Sequence, residues 1–165
     1  FMNWQYQLAP GRRIHWFARH TQVNYTDGAA QSNDFTQTMS GIGGVLEKQH
    51  YALWLNGYGG WENTAAALTG DRTLAGVSAG IGVPLHKDLT WRANLAWQHK
   101  QYQNTLAFFG TARDDKYLNM DMELEWRFQP AWGIALRYAH THNQANIELY
   151  HYERNNVSLI LFHTF

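Results

Sequence analysis

Cysteine is absent from the 165 residues, which excludes disulfides and thiolate-metal sites. Its absence suits an oxidising compartment, where a stray thiol is a hazard, as well as the cytosol. Charge of either sign is scarce: charged residues are 16% of the chain, with 13 Lys plus Arg against 13 Asp plus Glu. That balance leaves no basic footprint for nucleic acid. A run of about 18 apolar residues is also missing, so no transmembrane helix is expected. Aromatic residues, by contrast, reach 15% and include 8 Trp, too many for a disordered chain. An all-β protein remains, either soluble or spanning a membrane as a barrel.

The pattern that is present has a period of two. In "YLNMDMELEWRF" (117–128) the apolar residues Leu118, Met120, Met122, Leu124, Trp126 and Phe128 alternate with Asn119, Asp121, Glu123, Glu125 and Arg127. Alternation of this kind puts the two sets on opposite faces of a strand. It recurs over 2–8, 12–25, 36–46, 50–61, 73–85, 88–101, 117–128, 131–142 and 153–165, and no helical period competes with it. Several of these segments exceed the globular mode of about 5–6 residues, whereas a tilted strand crossing a bilayer needs about 9–11.

The connections alternate as well. Those at 9–12, 47–50, 85–88 and 128–131 are tight, and those at 26–35, 62–72, 102–116 and 143–152 are long and polar. Outer-membrane barrels pair short periplasmic turns with long outer loops in this way. The sequence therefore predicts an antiparallel up-and-down transmembrane β-barrel of the bacterial outer membrane. Membrane lipid covers one face, and Arg92, Asp121, Glu123, Glu125, Arg127 and Arg137 form a polar wall on the lumenal face. Nine segments conflict with the even strand number of single-chain bacterial barrels. Either 12–165 closes as eight strands behind a lead-in, or further strands lie upstream; the strand-like "MNWQYQL" favours the second.

Chemistry is sparse. His140 and His142 share a strand face and His151 lies across the next loop, but they carry no cysteine or carboxylate pair with them, so no metal or other cofactor is expected. Ser32, Asp34 and His142 fall near the outer end without a nucleophile motif, and no catalytic activity is expected. The glycines at 41, 43, 44, 57, 59 and 60 make no phosphate loop and suit close approach in facing strands. Val157, Leu159, Leu161 and the terminal Phe165 form the alternating end expected of a signal read by the barrel-assembly machinery.

The stretch from Ala112 to Phe165 resembles the end of the surface lipoprotein assembly modifier family. The resemblance rests on Arg113 and Asp114 ahead of a strand, Asn146 before Ile147, Tyr150, Tyr152 and Arg154 in "LYHYERNNVSL", and the terminal Phe165. It implies a barrel of fourteen strands behind a periplasmic tetratricopeptide-repeat domain, with the remaining strands and the repeat domain upstream of this sequence. It also implies a role in delivering a lipoprotein or related protein cargo to the cell surface. A small self-contained barrel with a binding or structural role, and the barrel of an exopolysaccharide exporter, are the alternatives.

Overall fold

The computed structural model describes residues 1–24, 34–64, 70–106 and 108–164. Its strands are β1 (Met2–Ala9), β2 (Arg12–Val23), β3 (Phe35–Lys48), β4 (Tyr51–Thr64), β5 (Arg72–His86), β6 (Leu89–Leu106), β7 (Thr111–Trp126), β8 (Trp132–Ala145) and β9 (Tyr152–His163). They form one antiparallel up-and-down sheet in chain order. A single 3₁₀ turn, Glu148–Tyr150, sits between β8 and β9. Tight turns join the strands at one end; at the first of these Gly11 adopts φ +69° and its carbonyl accepts the Glu47 N–H at 2.6 Å.

Two expectations are corrected. The segment 102–116 is mostly ladder, because β6 runs to Leu106 and β7 starts at Thr111, with pairing resumed at Thr105↔Ala112 after an irregularity at Gln101/Thr105. Here both faces are polar, so alternation of hydrophobicity gives no strand signal. The eight-strand closure of 12–165 is also overturned. β2 is paired on both sides, by β1 and β3, and among the described residues β9 pairs only with β8. The sheet is consistent with a barrel wall and is not closed.

Residues opposite one another on antiparallel strands share a face, so the register sorts the whole sheet. One face carries Trp4, Tyr6, Trp16, Ile42, Leu53, Leu55, Val77, Leu95, Trp97, Met122, Leu124, Trp126, Leu136, Val157, Leu159 and Leu161, all exposed. The buried strand residues lie on the other face, and four of them are polar: Glu62, Asp115, Thr141 and Asn143. This is the reverse of a water-soluble sheet, in which the apolar face is covered. On the polar face, rings press against glycines: a Cβ at Gly41, Gly76, Gly80 or Gly133 would overlap Phe17, Tyr58, Trp54 or Phe162. Side chains crowding one face only is what a sheet curled toward that face produces.

The apolar belt does not follow the register; it crosses it. The line Leu46–Leu53–Ile81–Ala93–Met122–Tyr138–Val157 is continuous across the pairings. On β3 it is the lower edge of the belt, since the next outward residue toward the tight turn is Lys48. On β9 it is the upper edge, since the next outward residue away from the turn is Asn155. From β3 to β9 the apolar stretch therefore moves from one side of that line, Ile42 to Leu46, to the other, Val157 to Leu161, so the belt runs oblique to the register. Transmembrane barrel strands tilt by about 35–45°.

Candidate functional site

The polar wall is assembled by β6, β7 and β8. Arg92 faces Glu123, which faces Arg137. Arg92 Nη1 donates to Glu123 Oε1 and to Glu125 Oε2, each at 2.7 Å. Arg137 pairs with Glu123 from the other side, and Arg127 Nε donates to Glu125 Oε1 at 2.8 Å. The result is an alternating chain of three guanidinium groups and two carboxylates. Asp121, on the same face, stands outside it and accepts from the Asn119 amide. A cavity of about 490 Å³ opens above the chain, lined by Arg92, Asp121, Glu123 and Arg137 with Trp54 and Asn94. Trp54 Nε1 donates to Asn94 Oδ1 at 3.1 Å. The guanidinium groups stay about half exposed, so the wall remains in contact with solvent and each pair contributes little to stability.

The residues that carry the family resemblance meet at the opposite end of the strands. Asn146 clamps the start of β7: its Oδ1 accepts the Asp114 N–H at 2.8 Å and its Nδ2 donates to the Ala112 carbonyl at 2.8 Å. Its own N–H donates to the Asp114 carbonyl at 3.0 Å. Arg113 forks onto the Asp115 carboxylate, at 2.8 and 2.5 Å. The same guanidinium lies 3.7 Å from the Tyr150 ring centre and 4.8 Å from that of Tyr102. Tyr152 opens β9 opposite Asn143, and Arg154 follows opposite Thr141. Arg113, Asp114, Asn146 and Tyr150 are therefore one latch, while Tyr152 and Arg154 only continue its strand.

No pattern in the sequence marks the group beside this latch. Arg72 pairs with Glu62 and donates to the Tyr102 hydroxyl at 2.7 Å, and Gln37 donates to Glu62 at 3.0 Å. Burial, joined by the Arg72 charge, pulls the nearby Lys100 amine below its ordinary range. Lys100 lies above Trp97, beyond the apolar belt. These positions sit where the belt has ended, so neither periodicity nor a motif marks them.

The remaining candidates stay apart. His140 Nδ1 lies 2.9 Å from Asn155 Oδ1, and the His142 and His151 rings meet edge-on at 5.3 Å. No group of three possible metal ligands forms among the described residues. Val157, Leu159 and Leu161 project from β9 on the apolar face. Phe165 and Ser32 lie outside the described residues.

A family model described as surface lipoprotein assembly modifier matches residues 2–165. The chain belongs to that family. The match takes in all nine strands, beyond roughly the last half of the chain that carries the resemblance. No curated protein and no solved structure gives a match. For a surface lipoprotein assembly modifier, the family description implies a role in lipoprotein assembly at the cell envelope. The polar wall and the latch are then features of this family member's sheet.

Proposed function

We propose that this sheet is part of the wall of an outer-membrane β-barrel whose protein assists delivery of a lipoprotein to the cell surface. The observation that carries the membrane reading is the oblique apolar belt. A flat hydrocarbon slab cut by tilted strands must cross the register at the strand tilt, and a soluble interface has no reason to. Along β6 and β7 the belt runs from Leu89 and Trp126 to Trp97 and Leu118. That is about 27 Å of strand, or about 20 Å of height at a 45° tilt. Among the described residues β1 and β9 each leave one edge unpaired, which supports completion of the barrel by further strands, because each unpaired backbone group in hydrocarbon costs several kcal/mol. The assembly machinery would read the alternating β9 end. The reading contains no catalytic step, and the lipoprotein cargo rests on family membership.

Brominated-chain phospholipids test the wall. In vesicles, a variant keeping only Trp126 is expected to lose most of its fluorescence, and one keeping only Trp54 to lose little. Equal quenching of the two would sink the assignment of faces. Cargo is tested in cells by adding protease: without this protein a surface lipoprotein becomes protected while its total amount holds. Unchanged cleavage would remove the delivery role.

A further inference from the structure

The apolar face is not uniformly filled. The glycines of the polar face named above are each pressed by a ring, but on the apolar face Gly44, Gly57 and Gly59 meet at most one backbone oxygen, and two of them, Gly44 and Gly57, lie diagonally adjacent. A Cβ at Gly57 would meet nothing within 4 Å, and one at Gly44 would meet only the Arg13 carbonyl oxygen at 3.6 Å. Packing within the chain does not require glycine at either position. Gly44 lies between Ile14 and Leu55 in the register, and Gly57 between Ile42 and Val77. Ile42 and Leu55 stand 62% and 63% exposed beside them. The outcome is a groove of about 700 Å³ on the apolar face of β2–β5, floored by backbone and walled by branched aliphatic side chains.

At the tight-turn end of this groove lies Arg12. It faces the apolar side in register with Leu46, is exposed, and has no hydrogen-bond or ion-pair partner among the described residues. Its neighbour Arg13 faces the other way and is neutralised by Glu47. An unpaired guanidinium at the lower edge of the belt and an apolar trough rising from it are complementary to one kind of molecule.

We propose that the groove binds a glycerophospholipid, its phosphate on Arg12 and one acyl chain along Leu46, Ile14, Gly44 and Gly57. A guanidinium prefers the bidentate geometry of a phosphate. The acylated cysteine of a lipoprotein offers chains but no phosphate, so Arg12 selects the lipid over the cargo. The inference rests on the reading that this face meets lipid.

The test uses the full chain, purified in detergent, stripped of lipid and titrated with dioleoylphosphatidylglycerol under native mass spectrometry. One lipid is expected to be retained, about tenfold or more tighter than dioleoylglycerol, the worth of a charge-assisted hydrogen bond. Gly57→Leu fills the trough and should weaken retention of both lipids. Arg12→Gln, at an exposed site that does not threaten folding, should lower phosphatidylglycerol to the dioleoylglycerol level. Equal binding of the two lipids by the wild type would overturn the proposal, as would both variants behaving like the wild type. So would a triacylated cysteinyl peptide that displaces the phospholipid equally well from wild type and Arg12→Gln. A chain that needs detergent yet shows any of these results loses only the groove; a chain monomeric without detergent loses the lipid-facing wall as well.

Discussion

Two neighbours on β7 show how much a single position depends on its face. Met122 sits midway along the apolar belt and Glu123 points to the polar side, between Arg92 and Arg137. Met122→Arg is expected to cost about 2–4 kcal/mol, as for a basic residue at the bilayer midplane. Glu123→Gln should cost about 1 kcal/mol or less, because its partners are solvated and Arg92 keeps Glu125. Urea unfolding from lipid vesicles measures both; similar losses would contradict the faces. The glycines divide in the same way. Gly80→Ala drives a methyl into the Trp54 ring and should destabilise by about 1–3 kcal/mol, while Gly57→Ala, in open space, should stay within about 0.5 kcal/mol. The same unfolding assay compares them, and a matching cost for both would mean that Trp54 does not lie on Gly80.

Among the elements, the corner of β7, β8 and the 3₁₀ turn depends on short-range hydrogen bonds more than on apolar burial. Asn146 makes three of them. Asn146→Ala should raise hydrogen exchange at the Asp114 amide about fivefold or more, since a lost hydrogen bond is worth about 1 kcal/mol or above. The Glu123 amide, far down the same strand, should keep its protection. Exchange followed by mass spectrometry or NMR decides this, and an unchanged Asp114 would remove the latch. This is also where legibility in the sequence divides. Leu118 to Phe128 reads as a strand because hydrophobic and polar residues alternate. Residues 102–106 and 111–116 do not, since Tyr102, Gln103, Asp114 and Asp115 offer no contrast between faces. Asp114 and Asn146 were recognisable as a motif, but their contact was not, because it joins residues 32 apart through a backbone clamp. The Arg72–Glu62–Tyr102 group was invisible for the same reason: its members lie on three strands whose alignment only the register supplies.

For the molecule as a whole, the height of the belt sets the medium that suits it. About 20 Å is less than the usual hydrocarbon thickness of about 30 Å, so thick bilayers impose a mismatch. Folding should be faster and more complete in dilauroyl than in dioleoyl phosphatidylcholine vesicles, read by heat-modifiable migration on gels. A preference for the thicker bilayer would contradict the belt's limits. The slope of the belt has its own consequence. In the proposed barrel wall, a waistline that climbs against its rungs works like a screw thread, so sliding a strand along its neighbour by two residues is the same act as raising it through the bilayer. Whatever joins the bare rims of β1 and β9 is therefore not free to choose its alignment. Only the rung that carries the staircase onward keeps the newcomer's own greasy stretch level with the rest, so in the proposed barrel the membrane itself would proofread the seam.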